Sequence, residues 1–217
     1  MTIVVGVDNG PGGQLAVRWA VAEALLRGRP LRVVHVSTGP GDVAEPMPAG
    51  RLRAAAPGLR GFLDAVAYAR DRLPDGMLSA IHPPGRPARV LVEESARDEL
   101  LVVGCGRGRT PLPTTVGSVG AAVVAHARPS TVVVGASEDE DVERKHVVVG
   151  VDGSRRAGEA MAFAAAEARL RRTDLVVVRG RDTAGLIDHT RTAELTVLGS
   201  TGRRVVRHAR GPVAVVH

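Results

Sequence analysis

The chain has 217 residues, 44% hydrophobic and 24% charged, the balance of a globular protein with room for one large or two small domains. Only 2% of residues are aromatic, and the net charge of +6 comes from scattered arginines, Lys145 being the single lysine; this argues against a nucleic-acid surface of clustered cations and stacking rings. Cys105 is the only cysteine, no apolar run approaches a membrane span, and Met1 leads straight into an apolar strand without a signal-peptide pattern, so a cytoplasmic protein with no disulfide and no membrane partner is expected.

TIVVGV over 2–7 reads as a buried strand and 11–27 as a helix, opened by Pro11 and stopped by Gly28. LRVVHV over 31–36 is a second strand, followed by a Pro/Gly-rich stretch from Ser37 to Gly58 that reads as a long loop. A helix over 59–73 is expected to bury Phe62, Val66 and Ala69 or Ala67. A third strand over 77–82, a helix over 87–97, a fourth strand over 99–104, a helix over 115–127 and a strand over 131–135 complete the first part. Alternation of this kind demands a parallel sheet with helices on both faces.

The beginning then returns. VVGVDNG at 4–10 recurs as VVGVDGS at 148–154, and the same 144-residue offset carries Trp19 onto Phe163 and Glu23 onto Glu167. Gly104 matches Gly199 at an offset of 95, so a second copy has lost 49 residues after its second strand, and 13 more are missing before the last strand. Strands at 146–151, 174–179, 194–199 and 213–216 remain. The fold class is therefore α/β: two flavodoxin-like doubly wound parallel sheets of order 3-2-1-4-5, the second copy lacking its second helix and third strand. The copies span 1–136 and 146–217, joined by a charged linker over 137–145. In the order 3-2-1-4-5 the lost strand is an edge, which leaves the others contiguous. Trp19 and Phe163 read as core packing.

Two loops of the first copy, GVDNG (6–10) and GCGRGRTPLPTTVGSV (104–119), follow strands one and four. Those strands are neighbours where the winding reverses, the place where ligands bind in open α/β sheets. Gly117 and Ser118 fall at the start of a helix, where free N–H groups and the helix dipole favour an anion. Asp8 and Asp152 recur at one position, either to meet a ligand or to end the strand in a turn. Cys105 reads as a small residue in place of serine. The seven histidines show no ligand spacing, so no metal is expected. No nucleophile–base pair, Walker lysine or dinucleotide fingerprint is present, and no catalysis is expected.

VVGVDNG, the helix carrying RWAVAEA, Gly104 followed by Gly117-Ser118, and the run VGSVGAAVVAHARPSTVVVG together resemble the universal stress protein family across both copies. The resemblance implies pairing of the copies, or a homodimer, through last strands, and in some members an adenine-nucleotide site of the pattern Gly-x2-Gly-x9-Gly-Ser/Thr. Carried over by position, the implied ATP-binding residues are Asp8 near the ribose, Val36 near the adenine, and Gly104, Gly117 and Ser118 of the phosphate pattern, with Gly106, Arg107 and Val119 beside them. Arg107 departs from the pattern's middle glycine. Either its side chain blocks the phosphates, or Gly106 or Gly108 takes the role and the guanidinium pairs with phosphate. In the second copy the phosphate loop is gone. Two functions follow: an ATP-sensing stress-response regulator, or a nucleotide-independent scaffold with both pockets decayed.

Overall fold

A computed structural model describes residues 1–38, 59–105, 118–135, 145–154, 156–180, 183–199 and 203–217. The stretches 39–58 and 136–144, with most of the predicted loop and linker, lie outside the described residues.

In chain order the elements are β1 (Ile3–Val7), α1 (Pro11–Arg27), β2 (Leu31–His35), α2 (Arg60–Arg70), β3 (Leu78–Ile81), α3 (Pro87–Ser95), β4 (Leu100–Gly104), α4 (Ser118–His126) and β5 (Ser130–Val134), then β6 (His146–Val151), α5 (Ala157–Arg171), β7 (Asp174–Arg179), α6 (Thr183–His189), β8 (Ala193–Gly199), α7 (Arg203–His208) and β9 (Val213–Val216). Predicted ends shift by a few residues. The start of α1 is set by Pro11 at its first helical position and its end by Gly28, which takes the left-handed conformation at φ 60° and closes the last turn. Arg172 ends α5 at φ 55°, a conformation that costs a side-chain-bearing residue roughly 1–2 kcal/mol.

The nine strands among the described residues form one sheet in the order β3-β2-β1-β4-β5-β9-β8-β6-β7. The two predicted parallel sheets are its halves: β3-β2-β1-β4-β5, and β7-β6-β8-β9, which keeps the same winding with no outer strand beyond β7 among the described residues. They meet where β5 runs antiparallel to β9, with Val132 opposite Ala214.

Side chains alternate between two cores. Ile3, Val5 and Val7 point to the face covered by α1, α2 and α5, where alanines Ala16, Ala20 and Ala24 are matched by Ala160, Ala164 and Ala168. Short side chains let these helices sit close to the sheet, which is how a chain so poor in aromatics fills its core. Val4, Leu101 and Val103 face the opposite core with Leu91, Val123, Leu186 and Val205 of α3, α4, α6 and α7. Trp19 and Phe163 pack half-buried against the first core, as expected. On α2 the buried stripe is Phe62, Ala65 and Ala69. Val66 is half-buried and Ala67 exposed, because the helix turns its 62/65/69 positions to the sheet.

Charge also crosses the junction. Glu23 and Arg27 lie one turn apart on α1, as do Glu167 and Arg171 on α5, and each arginine pairs with its own helix's glutamate and with the other's. Glu23 and Glu167 are almost fully buried. Glu99 extends the cluster from Arg27 at 2.6 Å, and Glu194 from Arg171 at 3.7 Å.

Candidate nucleotide site

The crossover from β1 through β2 to β3 carries α1 and α2 on one face; that from β3 to β4 returns past β1 with α3 on the other. The winding therefore reverses between β1 and β4, and a crevice opens beyond their carboxyl ends. A cavity of about 370 Å³ occupies it, lined by the ends of β1, β2 and β4 and by residues of α1, α3 and α4.

Asp8, Val36, Gly104, Ser118 and Val119 all line this one cavity. Gly106, Arg107 and Gly117 lie outside the described residues. Asp8 follows β1 directly, and its Oδ1 accepts a hydrogen bond from the Gly10 N–H at 2.9 Å, the Asx-type turn that reverses the chain into α1. Val36 is buried just past β2 and presents an apolar wall with Val34, Leu91 and Val103. Ser118, Val119 and Gly120 bring the start of the described part of α4 to the opposite side. The long loop predicted from Ser37 begins tied down: Ser37 is buried and exchanges main-chain hydrogen bonds with Pro83 and Gly85.

Gly104 has a second neighbour. A Cβ there would stand 2.1 Å from the Gly12 carbonyl oxygen and 2.3 Å from its carbon, so the end of β4 and the first turn of α1 touch backbone to backbone. Gly13 repeats the arrangement, because its Cβ would fall 2.8 Å from Asp8 Oδ1. Sequence reasoning missed both. The signal was Pro-Gly-Gly at 11–13, since two glycines in a first turn weaken a helix and earn their place by close approach.

His35 was missed as well. Its Nδ1–H donates to the Val7 carbonyl at 2.9 Å, and its ring stacks on His82 at 5.1 Å and tilts against Phe62 at 5.8 Å. Asn9 anchors the start of α2 by accepting the Gly61 N–H at 2.8 Å. The site thus joins an apolar wall, a carboxylate and a cradle of glycines.

Cys105 is buried, and burial pushes its thiol from near 9 up to about 11. The folded state therefore keeps a proton that the unfolded chain gives up near pH 9. Stability from this group is complete below pH 9 and falls as pH rises toward 11, by roughly 1.4 kcal/mol per pH unit. Urea unfolding across pH 8–11 is expected to lose less stability in Cys105→Ala than in the wild type. The native thiol is also expected to resist alkylation at pH 8 until denaturant is added.

Among the described residues no group of three or more His, Cys, Asp or Glu side chains is placed to hold a metal ion, and no helix is long and apolar enough to cross a membrane.

The model of the universal stress protein family matches residues 1–135. This chain belongs to that family. Universal stress protein Rv2623 of Mycobacterium tuberculosis is 37% identical over 190 residues, covering 81% of this chain and 62% of its own, so the chain spans less than two thirds of such relatives' length. A universal stress protein from Archaeoglobus fulgidus has the same fold at a TM-score of 0.73 and 13% identity, covering 99% of this chain and 97% of its own. PA1789 of Pseudomonas aeruginosa, a protein of unknown function, does so at 0.70 and 12%, covering 99% and 92%.

In this universal stress protein the region beyond the family match repeats parts of the crevice and alters others. Asp152 Oδ1 accepts the Ser154 N–H at 3.0 Å, the same turn that Asp8 makes. Gly150 faces Leu186 as Gly6 faces Leu91. Gly199, however, meets Arg156, which stands where α1 has Gly12, at an ordinary Cβ distance of 3.5 Å. The tight backbone contact of the first half is absent there.

Proposed function

We propose that the chain is a tandem universal stress protein that binds an adenine nucleotide in the β1–β4 crevice and acts as a non-enzymatic, cytoplasmic stress-response regulator. The observation that carries this reading is the convergence of Asp8, Val36, Gly104, Ser118 and Val119 on one cavity of about 370 Å³, a volume in the range of small-molecule sites. The apolar wall suits a base. Asp8 uses Oδ1 for its turn, so its carboxylate can accept a ribose hydroxyl, and the glycines admit close backbone approach. The second region reads as a shortened second copy, supported by the Gly150–Leu186 contact, the Asp152 turn and the reciprocal Glu/Arg pairs. Its role is structural.

Calorimetric titration with ATP and AMP tests the binding, with a matched pair of variants. Asp8→Ala and Asp152→Ala remove the same turn bond, but only Asp8 lines the cavity. Asp8→Ala is expected to weaken binding about 10- to 100-fold, the loss of a hydrogen bond to a charged group, and Asp152→Ala to leave it unchanged. No heat at millimolar nucleotide would sink this reading and leave the nucleotide-independent scaffold.

A further inference from the structure

β7 is the last strand of the sheet, and its outer edge has no partner among the described residues. It pairs all six residues with β6 in continuous register, without a bulge, and contains neither lysine nor proline. Four consecutive residues, Leu175 to Val178, are apolar. Exposed edges of this kind are normally blunted by charge, proline or a bulge. The opposite edge, β3, is shorter, exposes Ser79 at its middle and runs into Pro83 and Pro84.

Comparison with β2, which occupies the same place in the first half, sharpens the point. Leu31 and Val33 are fully buried on the face of α2, whereas their counterparts 144 residues on, Leu175 and Val177, are partly open and Val177 is 38% exposed. The helix above has changed where the strand has not. Gln14, which donates to Gly61 of α2, and Arg18, which sits over Tyr68, correspond to Gly158 and Ala162 on α5. The side chains that received a covering helix are gone, while those that suit a neighbouring strand remain.

We propose that β7 is a homodimer edge, pairing antiparallel with β7 of a second copy to extend the sheet across a two-fold axis. In an antiparallel pair opposite residues share a face, so a two-fold must pass through a residue. Centred on Val177, the register sets the exposed Val177 against its mate, Val176 against Val178, and Leu175 beneath the aliphatic stem of Arg179. Charge selects a second copy in this orientation. Asp174 stands at one end of β7 and Arg179 at the other, and neither has an ion-pair partner among the described residues. Antiparallel approach brings the acidic end of each strand beside the basic end of the other. The two charges lie on opposite faces, so their attraction acts between strand ends, not as a direct ion pair. The β5–β9 junction is already an edge-to-edge antiparallel pairing of valine-rich strands within the chain.

Sedimentation equilibrium of the full chain tests this. The mass is expected to rise from 22.6 kDa toward twice that value with concentration. Val177→Lys, at an exposed position, is expected to weaken the dimer at least about tenfold, with a melting curve like the wild type's at concentrations where both are monomeric. Arg179→Asp places acid at both ends and is expected to weaken it as well, and adding Asp174→Arg to Arg179→Asp restores it. A wild type that stays monomeric into the high-micromolar range overturns the proposal and leaves the edge to a strand from another protein. A dimer indifferent to Val177→Lys overturns it too, by placing the contact elsewhere.

Discussion

Replacing Arg27 with methionine is expected to lower the stability of the chain by about 3–5 kcal/mol, the cost of stranding buried charge when one partner of a buried pair is removed. Arg27 reaches Glu23, Glu99 and Glu167 with its three guanidinium nitrogens. Burial alone would pull its proton affinity down, but the attraction of Glu167 and Glu23 holds it above the ordinary arginine range. Glu167 shows the opposite side of the balance. Burial and the neighbouring Glu23 push its carboxyl above the usual range even with two arginines against it. With Arg27 gone, Arg171 alone would face two buried carboxylates.

The sign of the pH dependence follows. A carboxyl raised in the folded state favours folding while protonated, and this contribution is lost as pH rises through its folded value. Without Arg27 that value climbs further. The deficit of Arg27→Met is therefore expected to be large at pH 7.5 and to shrink toward pH 5, as the stranded Glu167 carboxylate takes up a proton. Urea unfolding at both values measures it. Replacing Glu23, Arg27, Glu167 and Arg171 together by leucine and methionine is expected to be close to neutral, because the desolvation of four charges disappears with their attraction. If Arg27→Met costs under 1 kcal/mol at pH 7.5, the ring does not hold the two halves together.

Glu23 and Glu167 were visible in the sequence as marks of a repeat, but not as contacts of one another. Their helices come together only because β5 and β9 pair antiparallel, and no local pattern encodes a junction between strands some 80 residues apart. The strands, by contrast, were plain, since Val-rich runs bounded by glycine and proline have few alternatives. The order of the sheet followed from the alternation and the family resemblance, and with it the crevice, so Asp8, Gly104 and Ser118 could be placed together before any coordinates. On α2 the expected Phe62 and Ala69 are buried and Val66 packs half-buried against the same core, but the fully buried position between them is the adjacent Ala65, which is less hydrophobic than Val66. Packing chose the smaller residue against a close sheet. Val177 was equally opaque: its sequence is that of a buried strand, and only the missing neighbour exposes it.

Gly104→Ala is expected to be the most damaging small substitution near the crevice, at about 3 kcal/mol or more. Overpacking a core costs 1–3 kcal/mol where side chains can yield, but here the obstacle is the Gly12 carbonyl at 2.1 Å, main chain held between α1 and a central strand. Gly199→Ala supplies the matched control. At the corresponding end of β8 the new Cβ would meet Arg156 Cβ at 3.5 Å, an ordinary contact, and the expected change is within about 0.5 kcal/mol. Urea unfolding of the two variants separates two reasons for a glycine at position 104. If the residue is there for packing, Gly104→Ala loses stability with or without nucleotide. If it is there only so that a phosphate can approach the backbone, the variant keeps its stability and loses ATP affinity instead. The 2.1 Å contact decides for packing, and makes glycine at the end of β4 a requirement of the fold that any ligand must share.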